Sequence, residues 1–431
     1  MAKPENSLRA VYASALLALL SGTRALHAID LQEEVKWLRE QNEKLQQAMK
    51  EQQKVIDSLT RKVDDIQGKG ISETSEAPTK ETSFGLNKVM ISGEGGMGYF
   101  KTQSDGRFPN GDFRVDEAKL VVEAPVYENV YFFSEINLQI RESFDLTVQL
   151  GECYLDFENI SRLWDKDEML NLRLGRMYIP FGEEYIYRYA IDNPLISHSL
   201  TDFWGVDEGV ELYGRIGKVS YVVAVQNGGD NQANDYTVDK SVAGRLSYDP
   251  AKWLHLSASA MRTGDLAPQD LWSDLYIANG WFVPLGGTNT TRFHANLVEG
   301  DIEVRLPHAR VRAFGGWARY DDNDPVSNNR RDLYYYSVEG VYDFTKKLYA
   351  AGRFSEILAP NGYPLVGNGN MGEYLFGVPT TELWRLSLGL GYRFSQNLVL
   401  KAEYSFERGR QLNGEKRDHE DFVGFQAAFK F

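Results

Sequence analysis

The chain reads as an all-β fold: a transmembrane antiparallel β-barrel of about 16 strands, preceded by an N-terminal α-helical coiled coil. Three patterns predict it. Apolar residues recur at every second position from about residue 86 to the last residue, connections alternate between long and short, and a heptad stripe is confined to residues 29–66.

Composition narrows the classes first. The 431 residues are 42% hydrophobic and 13% aromatic, with 39 glycines, a mixture that suits strands, tight turns and aromatic belts. Beyond the N-terminus no run approaches the ~20 apolar residues of a membrane-spanning helix. A net charge of −14 argues against nucleic acid as a partner. The lone Cys153 excludes a disulfide framework and any multi-cysteine metal site.

Residues 1–28 are expected to be a secretory signal peptide. Lys3 and Arg9 precede the short apolar run Ala10–Leu20, and Ala25 and Ala28 offer small residues for cleavage, although Leu26 makes the site imperfect. In residues 29–66, Leu31, Val35, Leu38, Asn42, Leu45, Met49, Gln52, Ile56, Leu59, Val63 and Ile66 follow alternating spacings of four and three. That narrow stripe predicts a self-associating helix, with Asn42 at an a position fixing the register; whether two or three helices associate stays open. Residues 67–85 lack periodicity and large apolar groups and read as a flexible linker.

From 86 to 431 the period is two. Trp384, Leu386, Leu388, Leu390, Tyr392 and Phe394 alternate with Arg385, Ser387, Gly389, Gly391 and Arg393; Leu398 to Phe406 and Val423 to Phe431 behave likewise. Sixteen such segments are expected, at 88–101, 112–124, 129–141, 146–157, 168–178, 208–214, 219–227, 240–248, 252–263, 291–305, 308–320, 331–344, 346–358, 382–394, 397–408 and 419–431. Short turns such as 306–307 and 394–396 alternate with long polar loops such as 228–239 and 264–290, as in outer-membrane barrels, where short turns are periplasmic. Two connections break the rhythm, 142–145 being short where a long loop is due and 158–167 the reverse. Tyr99, Phe132, Trp253, Trp317, Tyr334, Tyr336, Trp384 and Tyr404 fall near strand ends, where aromatic girdles sit. The terminal Phe431, after alternating apolar residues, resembles an outer-membrane sorting signal.

A barrel of this strand number encloses water, so something must narrow it. Residues 179–207 are the candidate, a long connection richer in apolar and aromatic groups than a solvated loop needs. They carry Glu183, Glu184, Asp192, Asp202 and Asp207 against the single Arg188. Inward-facing basic candidates are Arg245, Arg305, Arg310, Arg312, Arg353, Arg385, Arg393 and Lys401, accompanied by the acids Glu135, Glu303, Glu339 and Glu403. Charges of both signs across a lumen set up a transverse field that suits polar solutes in general.

The stretch Leu174-Gly175-Arg176-Met177-Tyr178-Ile179-Pro180-Phe181-Gly182 resembles the strand and Gly-x-x-x-x-Pro-Phe turn that open the constriction loop of the porin O/P family, the phosphate-selective porins. Glu152-Cys153-Tyr154-Leu155-Asp156-Phe157 resembles the strand before it. The resemblance covers roughly residues 86–431 and implies a sixteen-stranded, homotrimeric diffusion channel in the bacterial outer membrane, its coiled coil in the periplasm. It implies phosphate selectivity through basic residues at the constriction, and the acidic 179–207 segment departs from that pattern.

The expected function is therefore passive diffusion of small polar or charged solutes, with anions such as phosphate among them. A carbohydrate or general porin without anion selectivity, and a structural protein tethering the envelope through its coiled coil, remain alternatives. Catalysis is not expected. His198 beside Ser197 and Ser199, with Asp192 or Asp202, is the nearest approach to a triad, and His255 with Ser257 reads as lumen wall. No HExxH, nucleophile elbow or phosphate loop occurs, and neither cofactor nor metal is expected.

Overall fold

Period-two patterning over 8 to 16 residues is what the observed strands share. The computed structural model describes residues 89–141, 148–228, 237–266 and 275–431, all within the unit Phe84–Phe431. The expected signal peptide, coiled coil with Asn42, and linker lie outside the described residues.

Sixteen long strands close into one antiparallel barrel. They are β1 (Met90–Thr102), β2 (Asp112–Tyr127), β3 (Val130–Gln139), β4 (Gln149–Phe157), β5 (Asn171–Tyr178), β6 (Val206–Ile216), β7 (Val219–Gln226) and β8 (Ser241–Ala251). The second half comprises β9 (Leu254–Arg262), β10 (Phe293–Arg305), β11 (Ala309–Asp322), β12 (Arg331–Asp343), β13 (Leu348–Tyr363), β14 (Thr380–Ser395), β15 (Leu398–Gln411) and β16 (Phe422–Lys430). Each pairs with its sequence neighbours, and β1 closes the sheet on β16 with Met97 opposite Ala427. Every backbone edge of the sheet is thereby paired, the one way strands can stand in hydrocarbon.

Each expected segment overlaps one of these strands. β13 runs to Tyr363, beyond the expected 358. At the two irregular connections, β3 ends at Gln139 and β4 begins at Gln149, and the connection 158–170 carries a short 3-10 turn, Ile160–Trp164. Elsewhere the short-turn end is built from connections of two to four residues. Gly217 takes φ +63 and Asn129 φ +56, which lets their hairpins reverse in two residues.

Alternation sorts the side chains by face. On β14, Leu388, Leu390, Tyr392 and Phe394 are exposed outward while Arg385 and Ser387 are buried inward. The same division holds on β12, where Tyr334, Tyr336, Val338 and Tyr342 face out and Leu333, Tyr335, Ser337 and Glu339 face in. Outward aromatics form two girdles: Tyr248, Tyr342, Phe344, Tyr392, Phe394 and Phe431 at the short-turn end, and Phe113, Tyr334, Tyr336 and Tyr404 at the long-loop end. Tyr334 and Tyr342 are separated by about 27 Å of strand at ~3.4 Å per residue, or about 21 Å of height at a ~40° tilt. That approaches the ~25 Å apolar band of barrels embedded in an outer membrane.

Inside, one side is filled. Ile179, Phe181, Leu200 and Phe203 of the 179–205 connection pack with Leu275, Ile277 and Phe282 of the 263–292 connection. Together they lie against Phe293, Tyr320, Leu333, Tyr335, Ile357 and Leu383 of β10 to β14. Full burial of such side chains contributes about 1.5–3 kcal/mol each, so the described parts of these connections are folded against the wall rather than solvated. The lumen that remains lies along β2 to β8.

Candidate pore constriction

The segment 179–205 leaves β5 through Pro180, turns at Gly182 (φ +66), and forms the single helical turn α1 (Glu184–Tyr187) before doubling back to β6. The backbone angle at Gly182 disfavours any side chain, and a Cβ there would lie 2.4 Å from Glu299 Oε1, so the Glu299 carboxylate would also have to shift.

Its second half is bound to the wall by charged groups. Lys401 on β15 donates from Nζ to the carbonyls of Ala190 (2.7 Å), Leu195 (2.8 Å) and Asn193 (3.2 Å). Glu403, two residues on, accepts from the amides of Ile196 (2.5 Å) and Ser197 (2.8 Å) and from the Ser197 hydroxyl. Arg353 on β13 donates to Ser197 O (2.7 Å) and Asn193 Oδ1 (2.9 Å) while paired with Glu339. Arg385 on β14 donates to His198 O (3.1 Å) and to Glu407 (2.6 Å). Tyr349 donates to Pro194 O, and the Leu200 amide donates to Ser355. Inward glycines make room: a Cβ at Gly389 would come within 2.6 Å of Leu195 Cδ2, and one at Gly424 within 3.1 Å of Ile196 Cδ1.

The first half is held differently. Glu183 accepts from Ser247 (3.3 Å) and meets His255 Nε2 (2.8 Å), with Arg245 Nε at 3.8 Å. Arg245 also donates to Gly182 O and to the Tyr185 hydroxyl. Glu184 is buried and accepts from the amide and hydroxyl of Ser199. Arg188 is buried on Asp202 (3.2 Å) with its guanidinium 3.9 Å over the Trp204 ring. Asp192 is exposed.

Among the charges expected to line the pore, then, Arg353, Arg385 and Lys401 lie beneath the constriction segment rather than on open lumen. Arg312 is covered by Tyr187, its guanidinium 3.6 Å from that ring, and pairs with Glu303 and Glu339. Arg393 pairs with Asp343 nearer the short-turn end. Arg188 and Arg245 do border open space.

That space comprises two cavities. One, of about 330 Å³ near the long-loop end, is bordered by Lys119, Arg141, Arg188, Tyr178, Tyr189 and Trp204. The other, of about 420 Å³ near the short-turn end, is bordered by Arg173, Arg245, Tyr185, Glu211, Tyr213 and Tyr221. Tyr178 borders the first and stacks at 5.7 Å on Tyr185, which borders the second. Lys119, Arg141 and Arg173 were not among the residues read from sequence. Alternation around Leu172 and Leu174 marks Arg173 as inward. Lys119 is obscured by a bulge: Gly96 pairs with Glu117 and Met97 with Val115, so Asp116 is an extra residue and the parity changes along β2. Most cations here stand beside carboxylates: Lys119 at 2.7 Å from Glu94, Arg173 at 2.9 Å from both Asp156 and Glu211, Arg141 on Asp116.

The triad candidate is not assembled. His198 faces Asp202 and the Arg188 carbonyl, whereas Ser197 and Ser199 direct their hydroxyls to Glu403 and Glu184.

No family model matches the chain, and no curated protein matches it. Solved structures do. A loop-deletion variant of OmpT, an outer membrane protein of Vibrio cholerae, is 13% identical with a TM-score of 0.51, over 80% of this chain and 99% of its own. The outer membrane channel DcaP of Acinetobacter baumannii is 12% identical with a TM-score of 0.52, over 80% and 99%. An anion-selective porin from Comamonas acidovorans is 8% identical with a TM-score of 0.52, over 79% and 98%. At such identities the likeness establishes the sixteen-stranded barrel fold.

Proposed function

We propose that the protein is a bacterial outer-membrane porin, a water-filled channel for passive diffusion of small polar or charged solutes, working as a homotrimer. One observation carries the reading. A girdled apolar belt faces outward all round a closed barrel while charged, hydrated-type side chains face a partly open lumen that an anchored segment narrows. A soluble barrel would have no use for Leu390 at 56% exposure in the middle of that belt. Lipid is the partner of the outer face and small solutes are the partners of the inner one; nothing in the reading calls for catalysis or a cofactor.

The lining favours polar solutes of either charge over a dedicated phosphate filter. A phosphate filter needs guanidinium or ammonium groups that replace the ion's hydration. Here Lys119, Arg141, Arg173 and Arg245 stand beside carboxylates. Residues 29–66 are read as a self-associating coiled coil. The test is swelling of liposomes that contain the purified protein, in isotonic solutions of neutral sugars of increasing size. Uptake that falls off with size supports a channel, and impermeability to the smallest sugar refutes it.

A further inference from the structure

His255 stands on the inner face of β9, between the outward Leu254 and Leu256, and both of its ring nitrogens meet a carboxylate. Nδ1 lies 2.8 Å from Asp249 Oδ1 at the end of β8, and Nε2 lies 2.8 Å from Glu183 Oε1. Ionised carboxylate oxygens only accept hydrogen bonds, so two such contacts require an N–H on each nitrogen, which is the imidazolium. A neutral imidazole has one N–H and presents a lone pair to the other carboxylate.

The two carboxylates differ in freedom. Asp249 belongs to a strand of the barrel. Glu183 opens the constriction segment, one residue after the Gly182 turn and immediately before α1. The remaining charged neighbours leave the balance with His255. Arg245 reaches Glu183 only at 3.8 Å and donates to Gly182 and Tyr185 instead. Asp301 on β10 is bonded to Ser257 at 2.8 Å. Glu303, directly opposite His255 in the β9–β10 register, is paired with Arg305 and Arg312.

We propose that His255 is a protonatable positioning residue for the first limb of the constriction, residues 179–187. Protonated, it draws Glu183 against the β8–β9 wall; deprotonated, it repels one carboxylate, and Glu183, on the segment rather than the wall, is the one displaced. The displaced limb carries Tyr185 into the cavity it borders, so permeation changes with pH. The proposal rests on the channel reading above.

The test uses the full-length protein and its His255→Gln, Glu183→Gln and His255→Arg variants. Single-channel conductance and reversal potential are recorded from about pH 5 to about pH 9, the span in which histidine changes charge. Nitrogen-15 spectra of histidine-labelled protein in micelles report the imidazole directly. The expected result is a one-proton step in wild-type conductance that coincides with loss of the His255 imidazolium signal. Both neutral variants lose the step, and His255→Arg keeps the acid-side conductance throughout. A step shared unchanged by wild type and His255→Gln overturns the proposal, as does an imidazole that is neutral at the acid end. Absence of conductance at every pH refutes the channel reading, and the spectra still overturn or support the protonated clamp by themselves.

Discussion

Replacing Lys401 by methionine tests how the constriction is held. The lysine is 4% exposed, and its ammonium donates to the carbonyls of Ala190, Asn193 and Leu195. Methionine matches its length and supplies no donor. Hydrogen bonds from a charged donor contribute about 1.5–3 kcal/mol each, and the cost of burying the ammonium offsets a good part of the sum. Removing one member of a buried charged group costs about 3–5 kcal/mol. At the lower end, docking of residues 190–195 weakens more than about a hundredfold, taking ~1.4 kcal/mol per decade. The strand ladder does not involve the side chain, so Lys401→Met still folds and keeps its heat-modifiable migration on gels. Planar-bilayer records of single channels should change from steady to flickering, with Lys401→Arg close to wild type. Identical conductance and noise in Lys401→Met and wild type would refute the reasoning.

Three further outcomes follow from the same geometry. Arg173→Gln removes a cation that borders the lumen between Asp156 and Glu211, and should move the reversal potential in a salt gradient toward cation preference; no movement would take Arg173 out of the ion path. Gly391→Ala places a Cβ 2.0 Å from the Tyr349 ring, whose hydroxyl holds Pro194, so thermal unfolding in detergent should show a loss of about 1–3 kcal/mol from overpacking; an unchanged midpoint would contradict that packing. In a peptide of residues 29–66, Asn42→Leu should raise the melting temperature and broaden the distribution of oligomers seen by analytical ultracentrifugation; a monomeric parent peptide would remove the coiled coil from the account.

Fold and site were legible in sequence to different degrees, for physical reasons. A strand with lipid on one side and water on the other must alternate at every position, so Leu388, Leu390 and Tyr392 against Arg385 and Ser387 state both strand and face. Alternation places Lys401, Arg353 and Arg385 inward as well. It carries no information on what lies above them, and a segment more than 140 residues away in the chain covers all three. The covering had a signal of another kind. Gly389 and Gly424 are inward glycines on strands that otherwise read as good β-formers, and they mark where Leu195 and Ile196 of the covering segment come close. Arg188 illustrates a different limit. As the one basic residue in an acidic stretch it reads as a selectivity group, and it does border the cavity at the long-loop end, but Asp202 and the Trp204 ring pair and largely bury its guanidinium, which sequence does not show. The bulge at Asp116 hid Lys119 because one extra residue reverses every later assignment of face.

The central claim is that water crosses the molecule between the anchored segment and the β2–β8 wall. Purified protein added to a planar bilayer tests this most directly. The account predicts discrete upward steps of current, of similar size from one insertion to the next and rising nearly in proportion to salt concentration. A bilayer that stays silent while the protein is demonstrably inserted, or protein that remains dissolved and monomeric without detergent, would contradict it.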